Sequence, residues 1–182
     1  TRGQALAVCH LIEHGHTRIA YIAGPGTHHD APERLEGYRA ALNEANLPFD
    51  PSLVVEGDYS ERSGFEALEI LLSRGAPFTA VACANDQMAI GARLALFRRG
   101  VRVPQDISLV GFDDLFLADY LTPPLTTVRN SITKLGQLAG EAVLQLLRGE
   151  DVRLPPAHAE LIIRESVAPP RTELHLTPLQ TP

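Results

Sequence analysis

The chain has 182 residues, 45% of them hydrophobic, which is enough to bury the core of one domain of ordinary size. Acidic residues outnumber basic residues by 22 to 16, and the net charge of -6 argues against a surface that follows nucleic-acid phosphates. No apolar run approaches the roughly 20 residues of a membrane-spanning helix, and the chain does not open with a secretory signal. We therefore expect a soluble domain that contacts neither DNA nor a membrane directly.

The cysteines indicate the compartment of the protein, and the first residue indicates whether the chain is a fragment. Cys9 falls in a helical pattern and Cys83 in an apolar run, and with no CxxC pair we expect both to be reduced and buried. This favours a reducing compartment, the cytoplasm. The one methionine is Met88, so Thr1 does not start translation, and we expect a fragment or a processed product.

Helical and strand patterns alternate along the first two thirds of the chain. Helical spacing covers 3–14, 33–44, 63–74 and 87–99, and short apolar runs cover 19–23, 53–55, 80–84 and 108–112. The runs lack polar alternation and the first three each precede a helix, which is typical of a parallel sheet covered on both faces. The predicted fold class is α/β, with a doubly wound, Rossmann-like parallel sheet.

The last third departs from this alternation. Residues 120–128 contain two prolines and no helical period, which predicts an extended connection. An amphipathic helix is predicted over 132–147 and a last strand over 161–163. The Pro-rich stretch 169–182 has little to bury, so we expect it to be disordered.

Ligands of doubly wound sheets bind beyond the carboxyl ends of the strands, which here are followed by 24–30, 57–60, 85–86 and 113–114. The first of these loops lacks the third glycine of a dinucleotide fingerprint, and the sequence contains neither a P-loop nor a GxSxG nucleophile elbow. Asp113-Asp114 is similar to a response-regulator pocket, but the one lysine, Lys134, falls in a helical pattern rather than after a strand. A turn or a helix cap is the simpler interpretation of these paired acids.

Histidines offer two further patterns. His10 and His14 lie four apart on one predicted helix, but the glutamate of a zinc-protease motif does not stand between them in the required place, so we expect no metal. His28, His29 and Asp30 lie in a predicted site loop. There they either contact a ligand or are solvated.

Five strings in consistent order carry a family resemblance: HLIEHGH at 10–16, Arg34 followed by Gly37-Tyr38, ANDQMAIGA at 84–92, VPQDISLVGFDD at 103–114 with PPLTTV at 123–128, and RES at 164–166. Over residues 1 to about 168, the chain resembles the effector-binding core of the lactose/galactose-repressor (LacI/GalR) family of bacterial transcription regulators. The resemblance implies a periplasmic-binding-protein-like fold. It also implies that residues 1–130 and 153–168 form the C-terminal lobe, and that 131–152 cross to an N-terminal lobe outside this sequence.

The resemblance implies an effector site, and each residue has its own chemistry. Arg34 offers a fork of donors, with a surface salt bridge as the alternative. Asn85 suits a hydroxyl or caps a helix, and Asp113 rather than Asp114 accepts from vicinal hydroxyls. Tyr59 stacks on a ligand ring or is a half-buried loop residue. The weaker candidates are His28, Asp30 and Asn130.

The helix at 87–99 is apolar almost all round, so it must be covered on two sides or be buried within the monomer. The resemblance places this helix and the segment near residue 120 in a homodimer interface. The interface candidates are Ile90, Leu94, Phe97 and Tyr120.

The resemblance implies a ligand-sensing region without enzymatic activity, cofactor or metal. Its implied partners are a small sugar-like or nucleobase-like effector, a second copy of the chain, and DNA only through an N-terminal helix-turn-helix outside this sequence. An exported sugar-binding protein of a transporter is the main alternative. An α/β enzyme is the third, although no catalytic constellation supports it.

Overall fold

The computed structural model describes residues 2–130, 132–152 and 159–171, without the side chains of 132–135, and shows an α/β domain. Its main sheet has four parallel strands in the order β2-β1-β3-β4. The strands are β1 (Ile19–Ala23), β2 (Val54–Glu56), β3 (Ala80–Cys83) and β4 (Ser108–Val110). The helices are α1 (Arg2–Glu13), α2 (Ala31–Glu44), α3 (Glu61–Ser73), α4 (Asp86–Arg98) and α5 (Ile132–Leu147). The predicted fold class is confirmed.

The strand order reverses beside β1, because the chain moves from β1 to β2 on one side and then across to β3 and β4 on the other. Right-handed crossovers place α2 on one face of the sheet and α3 and α4 on the opposite face. The contacts agree, since α1 packs against α2 and α3 packs against α4. Ligands bind at such a reversal point, at the carboxyl ends of the strands.

Strands β1, β3 and β4 are buried throughout, which explains why their sequences lack polar alternation. Helix α3 begins at 61 and α4 at 86, each slightly before the predicted start, because Ser60 and Asn85 cap them. Residues 51–53 form a 3₁₀ turn, so β2 begins one residue later than predicted. Cys83 is buried, but Cys9 is only partly buried, contrary to the expectation for it.

The extended connection predicted over 120–128 was wrong at its first residue, and its last two residues belong to a strand that was not predicted. Residues 116–120 form a 3₁₀ turn, and Thr127–Asn130 form a fifth strand, β5. This strand pairs antiparallel with β6 (Ala159–Ile162), which was predicted over 161–163. The strand was missed because it is short and follows two prolines.

The expected disorder of 169–182 does not extend to its first three residues. Pro170 lies against Gly15, and Arg171 Nη1 donates to Asp106 Oδ1 over 3.1 Å. These contacts continue the packing of the preceding segment, where Leu109 N donates to Ser166 O over 2.9 Å. Residues 172–182 lie outside the described residues.

Helix α5 has the predicted bounds and an apolar face that is largely exposed, including Val143, Leu144, Leu146 and Leu147. The assignment of 131–152 as a crossing element and of 153–168 to the lobe stays a prediction, and residues 131 and 153–158 lie outside the described part. None of the helices in the described ranges is long and apolar enough to cross a membrane.

Candidate functional site

The polar segments after the four strands meet at the carboxyl-terminal edge of the sheet. Gly57 N donates to Ala23 O over 2.8 Å, and Asp86 N donates to Phe112 O over 2.7 Å, so backbone hydrogen bonds join neighbouring segments. The edge brings together five of the predicted site residues, which we call the polar cluster: Asp30, Arg34, Tyr59, Asn85 and Asp113.

Arg34 lies at the centre of the polar cluster, with 14% of its side chain exposed, so it is not the surface salt bridge considered as an alternative. Its Nε donates to Asp30 Oδ2 over 2.8 Å, and its Nη2 lies 2.6 Å from the same oxygen. Nη1 donates to the carbonyl of Ala84, and both terminal nitrogens lie 3.5 Å from Asp113 Oδ1. The guanidinium carbon lies 4.0 Å from the centre of the Phe112 ring. The guanidinium is therefore fixed on every side.

Asp30 links the arginine to the loop residues of the site. Its Oδ1 accepts from Tyr59 Oη over 2.9 Å and from His28 Nδ1 over 2.7 Å. Partial burial raises the pKa of Asp30, but the hydrogen bond from Tyr59 and the charge of Arg34 outweigh burial and hold the pKa below its ordinary value. Asp30, predicted as a weaker candidate, is thus central, whereas His28 is an exposed residue at the rim.

Tyr59 adopts a left-handed backbone conformation with φ of 72°, which is costly for a tyrosine and is held by its surroundings. Its ring lies directly over Gly24, where a Cβ would come within 2.2 Å of Cζ. Only glycine fits at this position. Burial and the hydrogen bond to Asp30 raise the pKa of Tyr59, so its hydroxyl remains a donor.

Asn85 has the capping role considered as its alternative. Its Oδ1 accepts from Met88 N over 2.9 Å, and its Nδ2 donates to Tyr59 O over 2.9 Å. The residue is 4% exposed, so its amide joins the start of α4 to the loop that carries Tyr59. Asn85 therefore holds the Tyr59 loop in place against the start of α4.

The two acids after β4 have different surroundings. Asp113, with φ of 108°, turns its carboxylate toward Arg34, and burial raises its pKa more than Arg34 lowers it. Asp114, with φ of 55°, binds Arg164 over 2.7 Å and Arg129 over 2.6 Å. Strained backbone at successive residues is typical of binding sites. The choice of Asp113 over Asp114 as the ligand-binding acid stays a prediction.

Asn130 makes no hydrogen bond to the polar cluster among the described residues; it ends β5 opposite Ala159. Sequence reasoning missed two neighbours of the cluster. Phe112 stacks on the guanidinium, and Asp86 is a buried carboxylate that accepts from Thr127 Oγ1 over 2.6 Å and from Leu115 N over 2.7 Å. Burial raises the pKa of Asp86 to about 6. The sequence signals that could have identified them are an aromatic residue directly before the paired acids, for Phe112, and an acid three positions after an apolar strand, for Asp86.

No group of three or more metal-binding side chains occurs within the ranges that the structure describes. His14 Nδ1 donates to the backbone carbonyl of His10 over 2.8 Å, and the absence of a metal at this pair stays a prediction. The side chains of the polar cluster are suited to hydrogen-bond a polar organic ligand.

A second surface carries the interface candidates. Leu94, Phe97 and Tyr120 are 44%, 72% and 68% exposed, so burial within the monomer does not account for them, whereas Ile90 is partly buried. Phe97 and Tyr120 border a groove of about 960 Å³. The Nε of Arg93, which also lines the groove, is buried and has no hydrogen-bond partner among the described residues.

The sequence of this chain is similar to a known domain family and to bacterial regulators. The model of the periplasmic binding protein-like domain family matches residues 8–167. The regulator GalR of Salmonella typhimurium is 43% identical over 178 residues, which are 96% of this chain and 52% of the relative. The chain spans about half the length of the curated relatives it matches.

Solved structures give the same result. A sugar-binding transcriptional regulator of the LacI family from Escherichia coli, complexed with phosphate, superposes with a TM-score of 0.88 at 38% identity, over 93% of this chain and 61% of that one. A lac repressor dimer bound to operator and an anti-inducer superposes with a TM-score of 0.84 at 38% identity, over 91% of this chain and 58% of that one. These similar proteins are regulators rather than enzymes. The chain therefore belongs to the periplasmic binding protein-like domain family, and it is similar to the corresponding part of lactose/galactose-repressor (LacI/GalR) family regulators.

Proposed function

We propose that this chain is the effector-binding region of a bacterial transcriptional repressor that acts in the cytoplasm. A small sugar-like or nucleobase-like molecule binds between this lobe and a second lobe, and it controls DNA binding by an N-terminal helix-turn-helix elsewhere in the protein. The observation that carries the proposal is the polar cluster at the reversal point of the sheet, in a chain whose relatives are regulators. Those relatives favour a repressor over an exported solute-binding protein.

The polar cluster matches the hydrogen-bonding pattern of a hydroxylated ligand. Asp113 carries a partly exposed carboxylate with one oxygen directed at Arg34, so its other oxygen is free to accept from a ligand hydroxyl. Tyr59 lies beside the same cluster, with its ring centre 5.7 Å from the Arg34 guanidinium carbon and 5.2 Å from the centre of the His28 ring. Packing of a ligand ring on Tyr59 stays a prediction. Nothing in this arrangement requires a reaction.

The site loop is tied to the strand that precedes α5. Asp113 N donates to Val128 O over 2.8 Å, Thr127 Oγ1 donates to Asp86, and Arg129 donates to Asp114. A ligand that moves residues 112–114 must therefore move β5, and the chain continues from β5 into the proposed crossing helix. The ligand then favours one arrangement of the two lobes over another, which is the differential affinity that allosteric control requires.

Calorimetric titration of the intact protein with a panel of sugars and nucleobases tests this function. We expect one compound to bind and to change operator affinity, and Arg34→Met to weaken that binding about 100-fold because Asp30 and Asp113 lose their partner. The control is Arg62→Met, which removes an exposed arginine on α3 that pairs with Glu66. A panel without any heat of binding or change in operator affinity would refute the sensing function.

The proposed homodimer uses the surface around Phe97 and Tyr120. Exposed aromatic side chains are typical of a surface that is covered in the assembled protein, and the groove beside them contains an arginine nitrogen that has no partner in the part of the chain that the structure describes. We expect the wild-type protein to sediment as a dimer and Phe97→Glu to sediment as a monomer. Phe49→Glu, at an exposed aromatic residue on another surface, should leave the dimer intact. A wild-type monomer at micromolar concentration would contradict this interface.

A further inference from the structure

The donors of Arg34 are already used within the protein. Nε and Nη2 bind Asp30, Nη1 binds the carbonyl of Ala84, and the terminal nitrogens also face Asp113. Two aromatic rings also lie close to the guanidinium, whose carbon is 4.0 Å from the Phe112 ring centre and 5.7 Å from that of Tyr59. A ligand carboxylate or phosphate would have to displace one of these partners to pair with the arginine.

Displacing Asp30 is the costly step. Its Oδ2 accepts both bonds from Arg34, while its Oδ1 is held by Tyr59 and His28. The hydrogen bonds and charge around Asp30 keep it ionised. A second anion in the same pocket would leave one carboxylate without its cation in a partly buried setting, where charges interact strongly.

The charges of the polar cluster add to this effect. Asp30 and Asp113 both face one guanidinium, so the cluster has no cation of its own left for an anionic ligand. Hydroxyl groups have no such requirement, because they donate to carboxylate oxygens that retain free lone pairs.

We propose that Asp30 is a specificity-determining residue that makes this site select uncharged, polyhydroxylated ligands and reject their anionic counterparts, such as uronates and sugar phosphates. The inference rests on the proposed effector-binding function and names the ligand class of that site. Asp30 acts through Arg34, by occupying the donors that would otherwise recognise an anion.

Matched pairs of compounds test this selectivity by calorimetry on the intact protein. The uncharged probes are galactose, glucose and ribose, and the anionic probes are galacturonate, glucuronate and ribose 5-phosphate. Galacturonamide serves as an uncharged compound with nearly the shape of galacturonate. We expect the wild-type protein to prefer the uncharged member of a pair at least about tenfold, which corresponds to about 1.4 kcal/mol.

Variants assign the selectivity to Asp30. Asp30→Asn should reduce the ratio of affinities for the uncharged and anionic members of a pair about tenfold, because the anionic member binds more tightly. If Asp30→Asn does not fold, Asp113→Asn is the second variant. Asp50→Asn is the control, because this substitution removes the same charge from a residue that pairs with Arg18 at the opposite end of β1.

The outcomes separate the two claims. Equal or tighter binding of the anionic members by the wild-type protein overturns the selectivity while leaving the effector-binding function in place. An unchanged preference in Asp30→Asn shows that selectivity does not come from Asp30 and also overturns the proposal. Binding of no member of any pair overturns the proposed function itself, and this inference with it.

Discussion

The two ends of the parallel sheet are built differently. At the carboxyl end, charged side chains are partly exposed, and Tyr59, Asp113 and Asp114 hold left-handed backbone conformations. At the amino end, His16 is 1% exposed and lies within a closed network. Its Nδ1 is 2.8 Å from Thr79 Oγ1, and its Nε2 is 3.0 Å from Ser108 Oγ and 2.9 Å from Ala168 O.

The comparison separates polar groups that stabilise the fold from those available to a ligand. A carbonyl oxygen only accepts, so Nε2 of His16 carries the proton and donates to Ala168, while Nδ1 accepts from Thr79. Burial lowers the pKa of His16 more than the hydrogen bond to Ala168 raises it, which keeps the ring neutral. Both ring nitrogens of His16 are satisfied within the chain. At the other end, Asp113 keeps an oxygen free and its backbone is strained, which is typical of a binding site.

The largest change in stability is expected when the closed network around His16 is broken. His16→Ala removes the buried ring that bonds Thr79 Oγ1, Ser108 Oγ and Ala168 O and opens a cavity, so we expect the free energy of unfolding to fall by about 3 kcal/mol. Effector affinity should not change, because His16 lies at the amino end of β1. Urea unfolding and calorimetry on the same samples measure both quantities.

The matched control for this change is His29→Ala, at a histidine on the exposed surface of the loop after β1. It should change the free energy of unfolding by less than about 0.5 kcal/mol. A His16→Ala protein as stable as the wild type, or one that binds effector more weakly, would contradict the division of roles between the two ends.

Much of the fold could be predicted from the sequence because the buried strands are continuous apolar runs. The run at 19–23 has the same bounds as β1, and the helix at 132–147 has those of α5. The helix starts at 61 and 86 were predicted one or two residues late, since they depend on the caps Ser60 and Asn85. Strand β5 was missed because it is short and follows two prolines, and because its partner β6 lies 29 to 35 positions further along the chain.

The candidate site was less predictable, because its chemistry depends on contacts between loops. Arg34 and Asp113 could be proposed from their place after strands and from the family resemblance. The four-residue spacing of Asp30 and Arg34 suits an ion pair on a helix, but the contact requires a helical turn beginning at residue 31, whereas the helix was predicted from residue 33. The roles of Phe112 and Asp86 likewise depend on how close β4 comes to α4 and β5.

A smaller effect on stability is expected at the carboxyl end of the sheet, where Asp86 is a fully buried acid that is not part of the exposed site. Burial raises its pKa to about 6, above the value of about 3.9 expected in the unfolded chain. Its contribution to stability is therefore complete below pH 4 and is lost as the pH rises through 6. Relative to Asp86→Asn, the wild-type protein should lose about 2 kcal/mol of unfolding free energy between pH 4.5 and 7.5.

Asp86→Asn should fold, since an amide accepts from Leu115 N and donates to Thr127 Oγ1 in the same space. The control is Asp58→Asn: hydrogen bonds from Ser60 and Ser63 lower the pKa of Asp58 to about 2, so its difference from the wild type should stay constant above pH 5. Urea unfolding across the pH range gives both differences. A constant difference for Asp86→Asn as well would show that Asp86 ionises normally, and that the carboxyl end of the sheet is more open to water than the buried position of this side chain indicates.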